Sequence, residues 1–142
     1  MARIGRLSSA PIVTIVDDDE SVRLATAKFV RLHGFAAYEF ASAEEFLQSP
    51  RAGDTSCLIT DVRMPGMSGV ELQCHLIAQG KRVPVIFITA FPEENSRARA
   101  LAAGATCFLT KPFDGKTLIG CVREALKEPG DSRGGQRAPT ED

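Results

Sequence analysis

Three stretches of this chain are apolar almost without interruption: Ile12-Val-Thr-Ile-Val16, Cys57-Leu-Ile59 and Val85-Ile-Phe-Ile88. A strand with one wet face alternates apolar and polar residues. A run that does not alternate is suited to a strand covered on both faces, the condition of a parallel sheet between helical layers. The segments between these runs have helical spacing and helical punctuation. Glu20–His33 carries Val22, Ala25, Phe29 and Leu32 at helical intervals and stops at Gly34. Phe35–Phe40 reads as a second strand. Ser42-Ala-Glu-Glu45 and Ser68-Gly-Val-Glu71 are capping boxes. The first opens a short helix with Phe46 and Leu47 inward, the second a helix to about Gln79, closed by Gly80. Ser56–Thr60 and Val83–Thr89 frame the third and fourth strands. Pro92-Glu93-Glu94 puts a proline and two acids where a helix start favours them, and that helix runs to Ala103, before Gly104. Thr106–Thr110 is a fifth strand. A last helix over Asp114–Lys127 stripes Leu118, Val122, Ala125 and Leu126. Five strands alternating with five helices predict an α/β fold, a doubly wound five-stranded parallel sheet.

The 142 residues suit one domain, with 44% hydrophobic and 25% charged residues for a single core. We place it at 11–128, after an N-terminal extension of residues 1–10. Residues 129–142, with two prolines, three glycines and almost nothing apolar, read as a disordered tail. The net charge of −1 offers no basic field for nucleic acid or membrane. With no membrane-length apolar run and no secretory h-region, the expectation is a cytoplasmic protein. Cys57, Cys74, Cys107 and Cys121 form no C-x-x-C pair, and with only two histidines a zinc site is not expected. All four cysteines are expected to be reduced, packed as small hydrophobes.

The residues that carry chemistry stand directly after the central strands: Asp17-Asp18-Asp19 after the first, Asp61 after the third, Thr89 after the fourth and Lys111-Pro112 after the fifth. In a doubly wound sheet, ligands bind outside the carboxyl ends of the strands, so these groups converge. Clustered carboxylates raise one another's pKa, and a hard divalent cation such as Mg²⁺ relieves the repulsion. Acids with one lysine and one threonine hydroxyl suit phosphoryl transfer, with one carboxylate as nucleophile. The Pro65-Gly66 turn lets backbone approach the site. Each piece alone has a plainer use, as helix cap, loop or strand end; order and spacing together give the signal.

The segments "IVDDDE" (15–20), "ITDVRMPGMSGVEL" (59–72), "FITA" (87–90) and "AGATCFLTKPF" (103–113) make the chain resemble the receiver domain of bacterial two-component response regulators. The likeness covers Pro11 to Glu128 and is nearest to the branch often fused to LuxR-type DNA-binding domains; here a stand-alone receiver is expected. The resemblance implies the flavodoxin-like (βα)5 fold and Asp61 as phosphoacceptor. It implies Mg²⁺ bound directly by Asp18, through water by Asp17, and by Asp61 and the Arg63 backbone carbonyl. It makes Thr89 the hydroxyl that moves onto the phosphoryl group, assisted by the Ala90 N–H. Lys111 becomes the phosphate-pairing lysine, followed by Pro112 on a cis bond, and Phe108 the switch aromatic. Two departures stand out. Phe108 replaces a frequent tyrosine, and Arg63 and Phe91 are bulky at positions that modulate water access to the aspartyl phosphate.

The resemblance further implies a histidine kinase or histidine phosphotransfer protein as phosphoryl donor. That donor would dock on Ser21, Val22, Leu24 and Ala25 with Pro112, Phe113 and Asp114. Output is expected through the face formed by the 93–103 helix, the fifth strand and the last helix, with Arg97, Arg99 and Lys116 as rim charges. Its occupant is a downstream protein or a second copy of the chain. Such a protein assists its own phosphorylation and dephosphorylation without being a turnover enzyme. A phosphorylation-independent pseudo-receiver is the first alternative, although the acids, Thr89 and Lys111 are all retained. A haloacid-dehalogenase-type phosphatase is the second. It would use Asp17-x-Asp19 but needs a later acidic motif, and after the lysine only Asp114 stands nearby.

Overall fold

The computed structural model describes residues 11–127; the extension 1–10 and the tail 129–142 lie outside the described residues. The elements run β1 (Ile12–Val16), α1 (Glu20–Leu32), β2 (Ala36–Phe40), α2 (Ala43–Gln48), a 3₁₀ turn (Ala52–Asp54), β3 (Cys57–Asp61), α3 (Gly69–Ala78), β4 (Val85–Thr89), α4 (Glu94–Ala102), β5 (Cys107–Thr110) and α5 (Gly115–Lys127). The strands form one parallel sheet in the order β2-β1-β3-β4-β5, the doubly wound architecture expected. The sequence reading missed the 3₁₀ turn and set several strand starts one or two residues early.

The unbroken apolar runs have the predicted cause. Val13, Ile15, Cys57, Ile59, Ile86 and Ile88 pack on one sheet face with Ala27 and Val30 of α1 and Leu118, Val122 and Ala125 of α5. Val16, Leu58, Val85 and Phe87 pack on the other with Phe46 of α2, Leu72 and Leu76 of α3 and Ala100 of α4. Both faces of β3 and β4 are therefore dry, at about 1.5–3 kcal/mol per large side chain removed from water.

Helix ends obey local chemistry. Ser68 and Glu71 close a reciprocal capping box at α3. At α2 the Ser42 side chain caps Glu45 N–H, while the Glu45 carboxylate reaches one residue further back, to Ala41 N–H. Gly34 and Gly104 come after α1 and α4 at φ 92° and 104°, where a side chain would be strained.

Three expectations are corrected. In α1 only half of the stripe Val22–Ala25–Phe29–Leu32 turns inward: Val22 and Phe29 pack half-buried on the first core layer. Ala25 is exposed and Leu32 is 73% exposed, while Thr26, Ala27 and Val30 face the sheet. Spacing alone does not separate these neighbouring positions on one helix face. In α4 the two acids stand at the helix start as expected, Glu93 at the N-cap and Glu94 in the first turn, but Pro92 precedes the cap instead of opening the helix, and the Glu93 carboxylate pairs with Arg63 and makes no side-chain cap. The four cysteines are not all reduced: Cys107 and Cys121 form a disulfide, whereas Cys57 and Cys74 are free. α5 folds back over the first core layer and brings a helix residue against a strand residue 14 positions earlier, a meeting that spacing in sequence does not reveal.

Candidate functional site

Register places the polar groups in one row. Val16 pairs with Thr60, Asp61 with Ile88 and Thr89 with Thr110. Asp17, Asp61, Thr89 and Lys111 therefore emerge together at the carboxyl ends of β1, β3, β4 and β5. β1 and β3 flank the point where strand order reverses, the place such sheets bind ligands.

Asp17 is fully buried and Asp61 is 7% exposed, while Asp18 faces solvent. Each offers an oxygen, and these atoms lie within 4.8 Å of one another. Lys111 Nζ donates to Asp17 Oδ2 at 3.2 Å and to Asp61 Oδ2 at 3.0 Å. Asp19 N–H donates to Asp17 Oδ1 at 2.9 Å, and Arg63 N–H to Asp61 Oδ1 at 3.3 Å. Both carboxylate planes are thus held from two sides. Asp19 also caps α1, accepting from Ser21 and Val22 N–H. Of the three consecutive acids, then, Asp17 and Asp18 belong to the cluster and Asp19 to the helix.

Burial pushes the Asp17 carboxyl up, helped by the Asp61 charge. The Asp19 N–H and Lys111 oppose this without cancelling it. Burial alone would lower Lys111, but its hydrogen bond to Asp61 and the charges of Asp17 and Asp61 outweigh burial, and its pKa is raised. Three hard oxygen donors, one of them resisting ionisation, fit a divalent cation such as Mg²⁺.

Thr89 is 1% exposed, its Oγ1 accepts from Phe91 N–H at 3.1 Å, and its carbonyl accepts from Lys111 N–H at 2.7 Å. Ala90 is exposed beside it. Lys111-Pro112 is cis, as expected. Phe108 is half-buried with its ring 5.9 Å from that of Phe87. The site also has supports that sequence did not single out. Arg23 donates to the Asp17 carbonyl at 2.9 Å. Glu44 Oε2 accepts from Met67 N–H at 2.8 Å and so holds the loop after β3. Arg63 pairs with Glu93 and lies 5.6 Å over the exposed Phe91 ring, so these two bulky residues form one cluster above the site. Apart from Arg23, six residues from Asp17, these contacts join residues far apart in the chain, and no local motif marks them.

The model of the response regulator receiver domain matches residues 13–123. The chain belongs to the receiver domain family. The response regulator protein TodT of Pseudomonas putida is 41% identical over 118 residues, covering 83% of this receiver and 52% of TodT. The receiver spans about half the length of that relative. The crystal structure of FixJ-N superposes with a TM-score of 0.76 at 37% identity, covering 85% of this chain and 97% of that one. A response regulator receiver protein from Burkholderia phymatum does so with a TM-score of 0.71 at 41% identity, over 86% and 99% of the chains. The chain is thus a response regulator receiver domain of the two-component type.

Of the remaining predicted positions, Ser21 and Ala25 are exposed, Leu24 is 49% exposed and Pro112 is exposed, with Val22 and Phe113 half-buried on the first core layer. Arg97, Arg99 and Lys116 are exposed, but Arg97 and Arg99, two residues apart in α4, point to different sides of the helix. Arg97 stands 4.0 Å from Glu94, and Arg99 also lines a groove with Arg63, Ser68, Glu71 and Glu93.

Proposed function

We propose that this receiver is a phosphoacceptor, phosphorylated on Asp61 by a histidine kinase or a histidine phosphotransfer protein in the cytoplasm. The observation that carries the proposal is the Lys111 ammonium joining Asp61 to a second, buried carboxylate within a three-acid cluster. Asp17, Asp18 and Asp61 would hold Mg²⁺, with the Arg63 carbonyl added by family likeness. The ion would offset charge on the carboxylates and the phosphoryl oxygens. An oxygen of Asp61 attacks phosphorus, and the bond from phosphorus to the donor imidazole nitrogen breaks. Lys111, already on Asp61, is placed to pair with a phosphoryl oxygen. The Thr89 hydroxyl and the Ala90 N–H are donors at the next strand end.

The product is one aspartyl phosphate per chain, which marks a switch and not a turnover enzyme. Its output is a change in the face made by α4, β5 and α5, read by a downstream protein or by a second copy. Labelling with acetyl phosphate and Mg²⁺ tests the acceptor. Wild type should take up one acid-stable, base-labile phosphoryl group, and Asp61→Asn should take up none. Equal labelling of the Asp61→Asn protein would remove the proposal, and multiple turnover of a phosphomonoester would favour the phosphatase alternative.

A further inference from the structure

The four cysteines occupy three chemical situations. Cys57 lies wholly inside β3, where burial pushes its thiol up to about 12 and leaves it inert. Cys74 is exposed on α3 and free. Cys107 and Cys121 are joined, with Cα atoms 6.2 Å apart, inside the span that a disulfide bridges without backbone movement. Cys107 begins β5, which is the edge strand of the sheet, and it is half-buried; Cys121 is a buried residue of α5. A small thiol reagent therefore has access from the sheet edge, through Cys107.

Both residues also pack in the first core layer beside Leu109, Leu118 and Val122. As thiols they would remain small apolar residues in that layer, so the fold accepts either state. In a reducing cytoplasm, pairs of this kind are transient and redox-sensing more often than structural. We propose that Cys107 and Cys121 form a reversible dithiol–disulfide pair that reports the low-molecular-weight thiol poise on the output face of the receiver.

The step balances with glutathione disulfide as oxidant. The Cys107 thiolate attacks one sulfur of glutathione disulfide, forms a mixed disulfide and expels one glutathione thiolate. The Cys121 thiolate then attacks the Cys107 sulfur and expels the second. Two electrons pass from the protein to glutathione, and the two thiol protons finish on the two glutathione molecules.

Strand alternation couples the bond to the output face. Cys107 and Leu109 face α5, and Phe108 between them packs on the opposite layer beside Phe87. A shift of β5 that repositions Phe108 must move Cys107 against α5, and the bond restrains it. This coupling rests on the proposed output through α4, β5 and α5; the thiol chemistry does not.

The test uses the full chain in glutathione buffers from fully reduced to fully oxidised, quenched with acid, alkylated and mapped by mass spectrometry. Cys107 and Cys121 should lose alkylation together in one transition, with the loss of two hydrogens, while Cys74 reacts independently. Cys107→Ser should leave Cys121 alkylated throughout. The pair is overturned if the two cysteines respond separately, end only as glutathione adducts, or stay bonded in fully reducing buffer. A second arm measures amide exchange around Phe108 with and without fluoroberyllate. The oxidised protein should show a several-fold smaller change than the reduced one, with Asp61 labelled equally in both. An equal change in both states overturns the restraint. Absence of Asp61 labelling in both states would instead overturn the phosphoacceptor reading, and the alkylation result would decide the pair by itself.

Discussion

Asp17 is the residue whose environment most opposes its charge. It is wholly buried, within one cluster with Asp61, and its pKa is raised above the usual 3.8. A carboxyl with a raised folded-state pKa contributes stability that is complete below its unfolded value and lost as pH rises through the folded one. Asp17→Asn imitates the neutral form and keeps an acceptor for Asp19 N–H. Without metal at pH 7 it should therefore be more stable than wild type. The gain should vanish below about pH 3.8. Denaturant titrations in EDTA across this range would show it, and Mg²⁺ should raise the wild-type Tm much more than the variant's. A wild type more stable than the variant at pH 7 without metal would contradict the sign. Gly69 makes a second residue-scale prediction. A Cβ there would overlap the Asp61 carbonyl oxygen and press on the Phe87 ring. Gly69→Ala should cost about 1–3 kcal/mol by overpacking and slow acetyl phosphate labelling by displacing the acceptor strand. Wild-type stability and labelling rate together would refute it. The acid cluster was legible in sequence because each member directly succeeds an apolar run whose end is easy to place. Arg23, Glu44 and Glu93 were not, since what defines them is a partner in another element.

At the scale of elements, α4 is the least anchored of the long helices. Ala100 is its single buried residue, and no side chain caps its start. Leu101, its largest apolar side chain, is 36% exposed. Ala98, Ala100, Ala102 and Ala103 bury little area, so this weakness is readable from sequence. The tether that offsets it was not readable: Gln73 of α3 is 3% exposed and donates its amide to the Ala100 carbonyl at 3.2 Å. Its Oε1 is buried with no hydrogen-bond partner. Sequence placed Gln73 only within a helix, and a buried glutamine contradicts the usual preference of that residue. Native-state amide exchange should find α4 opening at lower free energy than α1, α3 or α5. Gln73→Ala should accelerate α4 exchange several-fold and leave α1 unchanged. Equal protection of α4 and α5 in wild type would show that its few contacts suffice. The stripe in α1 teaches a related limit. Helical spacing identified the element, but which of its positions turn fully inward depends on how α1 lies on β1 and β2, which spacing does not carry. The Cys107–Cys121 bond is a limit of the same kind, because it depends on how α5 lies over β5.

Across the whole molecule, the doubly wound order brings the start of α1 and the loop after β5 to the same side of the site. Further along α1, in its last turn, Phe29 lies so close to Gly115 that a Cβ on the glycine would stand 2.5 Å from the ring. α5 therefore starts directly against α1, and Phe29 and Phe113 pack in the same core layer. The exposed residues Ser21, Leu24, Ala25 and Pro112 make up the surface on which the family resemblance places the donor, and none belongs to the cluster of acids. Leu24, 49% exposed, is its largest apolar contribution. On that expected docking a protein donor buries part of this surface to bring its histidine to Asp61, whereas acetyl phosphate needs only the site. Leu24→Asp should therefore slow phosphoryl transfer from a kinase or phosphotransfer protein by at least tenfold. That corresponds to about 1.4 kcal/mol, within what one buried leucine contributes. Labelling by acetyl phosphate should change less than twofold, and the Tm little, because the side chain is already half in water. Transfer time courses with both donors on the same preparation decide the matter. If both routes slow together, the substitution has disturbed the site and the surface is not a docking face. If neither slows, the donor approaches over another edge of the sheet.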